Sequence, residues 1–173
     1  LQQSHDIRRK LLGESHPECA VALYSLGILD YSEGRYGPAC VKMEKAVTTL
    51  EKSVGPDFPG CQAILSSLVL AYLLAGSGEG VDRTLKRFPV DQAPYQVWVR
   101  AFVHIHRKEP QKAIDLINER LVAIQSQYGK GSVPEEFLIA PLAWAKMRVG
   151  QHAEALELFA ETMTFCEKPR SAL

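Results

Sequence analysis

Five histidines (5, 16, 104, 106 and 152) and four cysteines (19, 40, 61 and 166) carry most of the reactive chemistry in this chain of 173 residues. His104 and His106 stand two apart, so on a helix their rings point about 160° from one another and do not share a metal. A nucleophilic thiol needs an adjacent imidazole and an oxyanion site. Cys19 lies three residues from His16, near a helix start that favours the thiolate. Yet the same thiol recurs 42 residues later as Cys61, where Phe58 takes the place of the imidazole. The cysteines have no zinc-type spacing and no Cys-x-x-Cys pair. Gly76-Ser77-Gly78-Glu79-Gly80 lacks both the strand and the Lys of a phosphate loop, and reads as a turn. The chain is therefore expected to have no catalytic residues, no metal site, no cofactor and no enzymatic activity.

Composition narrows the partners. The chain is 46% hydrophobic and 23% charged, within the ordinary soluble range. Twenty basic residues balance twenty acidic ones, which removes the electrostatic case for nucleic acid or an anionic membrane. The local clusters Arg8-Arg9-Lys10 and Arg83 with Lys86-Arg87 read as solvated helix faces, and Glu135-Glu136 as charge complementing a helix N-terminus. No apolar run approaches the ~18 residues of a membrane span. The opening Leu-Gln-Gln-Ser-His-Asp is not a secretory leader, and without an initiator Met it suggests a segment of a larger protein. A cytoplasmic location with reduced, mostly buried thiols is expected.

What positions these residues is an internal repeat. Leu12-Gly13-Glu14-Ser15-His16-Pro17-Glu18-Cys19 returns as Val54-Gly55-Pro56-Asp57-Phe58-Pro59-Gly60-Cys61, and the match continues through Leu23/Leu65, Leu26/Leu68 and Gly34/Gly76. A fixed period of this size marks stacked supersecondary units, each covering its neighbour's apolar flank. Apolar residues recur at three- and four-residue steps from end to end, and strand signals are almost absent. Each unit is a first helix (A) and a second (B). Cys19 to Glu33 is the first A helix, after Pro17, with Ala22, Leu23, Leu26, Gly27 and Leu29 as its packing stripe. Pro38 to Val54 is its partner, with Ala39, Met43, Ala46, Val47 and Leu50 inward. The second unit runs from Cys61 to Ala75 and, after the glycine turn, from Val81 to Phe88, where Pro89 stops it. Pro94 to His106 with Pro110 to Tyr128, and Pro134 to Val149 with Ala153 to Cys166, complete the set. The small residues that let A and B approach, Ala39, Val81, Ala113 and Ala155, are spaced 42, 32 and 42 apart. The second B helix has therefore lost about ten residues, and the stack is expected to bend near 86–95. The expected organisation is one repeat domain over 1–173: a half unit at 1–13, then units at about 17–55, 59–90, 93–129 and 134–166.

These residues resemble the tetratricopeptide repeat (TPR) family in its 42-residue, kinesin-light-chain-like form. The family pattern of Leu, Leu, small, then Gly-x-Tyr-x-x-Ala is met by Leu23, Leu26, Gly27, Gly34, Tyr36 and Ala39. Leu65, Leu68, Tyr72 and Gly76 meet it in the second unit, and Leu142, Ala143, Gly150, Ala155 and Phe159 in the fourth. In the third, Arg100 stands where a core Leu is expected and Lys108 replaces the turn glycine. The resemblance implies an all-α solenoid, a right-handed superhelix of antiparallel helix pairs whose A helices line a concave groove. It also implies a local packing or capping role for His16. The paired Asn residues with which kinesin-like forms clamp a peptide backbone are replaced here by Tyr24-Ser25, Ser66-Ser67, Trp98-Val99 and Ala140-Pro141.

Carried onto this chain, the family's groove-facing positions are Tyr24, Ile28, Tyr31, Ser66, Leu70, Leu73, Trp98, Phe102, Ala140 and Trp144. That row is apolar and aromatic, and aromatic side chains are the commonest interface anchors; aromatics also pack A helices together in repeat proteins, so Trp98 and Trp144 fit either the groove or the core. The expected function is a protein–protein interaction module binding a peptide or protein segment, including a segment of its own larger protein. The alternative is a regulatory, ligand-sensing segment of a signalling NTPase or caspase-like peptidase. Self-association through a terminal helix is a further possibility.

Overall fold

The computed structural model describes residues 2–88 and 93–167, with residues 164–167 described as backbone. Nine helices and no strand occupy the described residues. They are α1 (Gln2–Leu12), α2 (Pro17–Ser32), α3 (Tyr36–Val54), α4 (Pro59–Leu74), α5 (Gly78–Leu85), α6 (Pro94–His106), α7 (Pro110–Tyr128), α8 (Val133–Arg148) and α9 (His152–Glu167). The chain divides into two compact units, Leu1–Val90 and Asp91–Leu173. In the first, α1 packs on α2, α2 pairs with α3, α4 lies against both α3 and α2, and α5 folds back on α4. In the second, α6 pairs with α7, α8 lies against both, and α9 folds back on α8.

The punctuation works as chemistry. Pro occupies the first turn of α2, α4, α6, α7 and α8, where its missing N–H costs no hydrogen bond. His16 is the N-cap of α2, its Nδ1 accepting from the Glu18 N–H at 3.2 Å, the local role its place in the loop implied. The thiols of Cys19 and Cys61 make the same bond in successive repeats, to the carbonyls of Gly13 and Gly55 at 3.1 and 3.5 Å. They are buried, as is Cys40; the Cys166 side chain lies outside the described residues.

Packing follows the small positions. Ala39, Val81, Ala113 and Ala155 are all buried. Gly27 admits α3 so closely that a Cβ there would lie 2.9 Å from Met43 Cγ. The inward row of α3, from Ala39 to Leu50, is fully buried, and so is the cluster of Val97, Ala101, Ile117, Ile124 and Leu138 in the second unit.

Four details differ from expectation. α5 begins at Gly78, inside the stretch read as a turn, because Ser77 caps it by accepting the Gly80 N–H at 3.3 Å; it ends at Leu85. Pro89 lies outside the described residues. Leu29, placed in the packing stripe of α2, is 40% exposed. Arg87 is not solvated: it meets Glu44 at 2.7 Å and Glu51 at 2.7 and 3.3 Å, tying the end of α5 to two turns of α3. Glu135 does more than face a helix dipole. It is buried, and its carboxylate accepts from Gln125 Nε2 and the Gly131 N–H, each at 2.6 Å, fixing the α7–α8 loop.

Each A-to-B turn closes by one pattern. The second residue after each A helix turns left-handed, and the next N–H reaches back five residues: Arg35 to Asp30, Ser77 to Tyr72, Glu109 to His104 and Gln151 to Lys146, at 2.8–3.0 Å. Three of the left-handed residues are Gly34, Gly76 and Gly150; the fourth is Lys108, at φ 61°. A side chain there crowds the following carbonyl. Lys108→Gly is therefore expected to raise stability by about 1 kcal/mol, and Lys108→Val to lower it by more, both measured by chemical denaturation.

Candidate functional site

The ten residues marked in the sequence fall into two groups, six in the first unit and four in the second. In the first, Tyr24 on α2 and Ser66 on α4 occupy equivalent positions 42 residues apart. Their hydroxyls are already committed. Tyr24 Oη donates to Ser67 Oγ at 2.8 Å, Ser67 Oγ donates to the Ala63 carbonyl, and Ser66 Oγ donates to the Gln62 carbonyl at 2.9 Å. Tyr24 thus joins one A helix to the next. Tyr31 packs edge-on against Tyr36 of α3, centroids 5.6 Å apart, and burial pushes its phenol above the usual value. Ile28 is 37% exposed, Leu70 is half-buried and Leu73 is buried, so this row offers a modest apolar surface.

In the second unit three of the marked residues meet. Trp98 and Phe102, one turn apart on α6, have ring centroids 4.9 Å apart; Phe102 and Trp144 of α8 stand 5.0 Å apart and nearly perpendicular. Both separations suit attractive aromatic pairing. Phe102 and Trp144 are 42 residues apart, so the contact joins equivalent positions on neighbouring A helices. Trp98 leans on the core of this unit, whereas Trp144 is 39% exposed. Phe137, Ala140 and Met147 share the helical face of Trp144 by their spacing and are all exposed. The sequence reading left out Phe137 and Met147, although a three-and-four step from Trp144 reaches both.

A concavity of about 850 Å³ lies in the first unit, lined by Cys40, Val41, Thr48 and Lys52 of α3 and Tyr72 of α4. It contains none of the marked residues. Its thiol, Cys40, is pushed up to about 11 by burial, and a protonated thiol is a poor nucleophile. Among the described residues no cluster of His, Cys, Asp or Glu has the geometry to hold a metal, and no helix is long and apolar enough to cross a membrane.

No family model and no curated protein matches this chain. Solved structures do. A single-site variant of a Podosopora anserina protein, described as a kinesin light chain with nearly identical TPR-like repeats, superposes with a TM-score of 0.71 at 21% identity, over 94% of this chain and 82% of that one. The parent protein gives 0.69 at 20% identity, over 99% and 86%. The fold is that of TPR-like repeats. The all-α solenoid architecture expected from the 42-residue period is thereby established. The aromatic trio lies on α6 and α8, two neighbouring A helices in contact with one another.

Proposed function

We propose that this TPR-like chain is a protein–protein interaction module that binds a peptide or protein segment on the A-helix faces of α2 and α4 in one unit and α6 and α8 in the other. The residues proposed to touch the partner are Tyr24, Ile28, Tyr31, Ser66, Leu70, Trp98, Phe102 and Trp144. The observation that carries the reading is the half-exposed Trp98–Phe102–Trp144 cluster, extended by the exposed Phe137, Ala140 and Met147. Water-exposed rings of this size are costly to maintain unless something covers them, and each fully buried anchor contributes about 2 kcal/mol to binding. The role is binding, with no catalytic step; the partner is a protein, here or in the remainder of a larger chain, in the cytoplasm.

Ala140 provides the test, because it is exposed and its side chain is a single methyl group. Ala140→Glu would place an unpaired carboxylate beneath a docked apolar segment. Proteins retained from an extract by the immobilised chain should be lost with this variant, by at least about tenfold, while its melting temperature moves by no more than about 2 °C. Retention unchanged by both Ala140→Glu and Trp144→Ala would remove the proposal.

The short α5 favours a second reading, control of an attached effector. It has 8 residues where α3 and α7 each have 19, so fewer packed turns hold this joint and ligand binding has a place at which to alter the array. Restoring a full-length helix there should leave partner affinity intact but abolish any partner-dependent change in effector activity.

A further inference from the structure

We infer that the partner of the α6/α8 face is an amphipathic α-helix with an acidic edge; this rests on the binding role proposed above and specifies what fills the site. The first reason is hydrogen bonding. The surface offered by Trp98, Phe102, Phe137, Ala140, Trp144 and Met147 contains two indole N–H donors and no strong side-chain acceptor. An extended peptide pressed onto it would bury backbone N–H groups with nothing to receive them, and orphaned N–H groups are rare because they are costly. A helix arrives with its backbone already paired and presents side chains alone.

The second reason is charge. One turn beyond Phe102 stands His106, and one turn beyond Trp144 stands Arg148; both are exposed, at equivalent positions 42 residues apart. Neither has a carboxylate partner among the described residues. Arg148 brings a fixed positive charge and His106 an imidazole at the same end of the apolar stripe. The corresponding positions in the first unit are Ser32 and Leu74, so this cationic end belongs to the second unit. From Phe137 to Arg148 the stripe spans roughly 16 Å, which a helix of about 11–14 residues covers.

The two tryptophans of the chain both lie on this surface, so their emission reports occupancy directly. Three synthetic fourteen-residue peptides serve as probes: a side-chain-stapled helix with a Leu stripe and a Glu edge, the same sequence unstapled with a central Pro, and the stapled helix with Lys in place of Glu. The stapled Glu peptide is expected to shift the emission and saturate in the micromolar range, with the Pro and Lys peptides at least tenfold weaker. Arg148→Glu should reverse the preference between the Glu and Lys edges. Equal or tighter binding of the Pro peptide overturns the helix, and indifference to the edge overturns the charge match; in either case retention that depends on Ala140 would leave the binding role standing. Failure of all three peptides, together with retention indifferent to Ala140→Glu, overturns both.

Discussion

Replacing Asp30 by Asn is expected to cost about 2 kcal/mol of stability in urea denaturation, the range for hydrogen bonds to a charged group, because the carboxylate is buried while Arg35 and Lys42 are partly exposed. Asp30 stands near the end of α2 with its carboxylate almost fully buried, and three donors converge on it: Arg35 Nε at 2.9 Å, Arg35 Nη2, and the Lys42 ammonium. The cluster joins the end of α2 to the start of α3 around the left-handed Gly34 turn, so its loss opens the first hairpin. The Lys42 hydrogen bond, and after it the Arg35 bond, hold this carboxyl below its usual pKa against the opposing effect of burial. A depressed folded-state pKa contributes stability that is complete above the unfolded value, about 4, and is lost as pH falls through the folded value. The gap between the native chain and Asp30→Asn should therefore be widest above about pH 5 and close under acid. A gap that stayed constant down to pH 2 would show that shape, and not charge, matters there.

Trp98→Ala and Trp144→Ala should separate core from recognition. Trp98 packs on the hydrophobic cluster of its unit, so its removal is expected to cost about 2–3 kcal/mol of stability as well as partner affinity. Trp144 is more exposed and stands outside that cluster, so Trp144→Ala should cost under about 1 kcal/mol of stability. Its effect on partner affinity should nevertheless reach about 2 kcal/mol, some thirtyfold. Denaturation and binding isotherms on both variants supply the comparison. The idea fails for Trp144 if its loss destabilises the fold as much as the loss of Trp98 while affinity holds.

Much of the architecture was legible because it is local. Pro at helix starts and Gly after helix ends mark boundaries to within about two residues for every helix except α5, where helical glycines pass for a turn until Ser77 is seen to cap them. The repeat put Phe102 and Trp144 in one row of equivalent A-helix positions, and the structure shows their rings in contact. The ion pairs were not legible. Asp30 reaches a partner 12 residues away, and Arg87 reaches Glu51 and Glu44 at separations of 36 and 43. Nothing in the spacing of charged residues distinguishes such pairs from solvated ones. Leu29 shows the same limit: a helical stripe gives the angle of a residue but not whether a neighbour arrives to cover it.

Hydroxyl-radical footprinting of the chain, free and with its retained partner bound, reads the proposed surface most directly. Trp144, Met147 and Phe137 are exposed and oxidise readily, and Met163, also exposed and on α9, serves as the internal reference. The account predicts that partner binding slows oxidation of the first three several-fold and leaves Met163 unchanged. Unaltered oxidation of Trp144 and Met147 in a saturated complex would mean that the partner binds elsewhere.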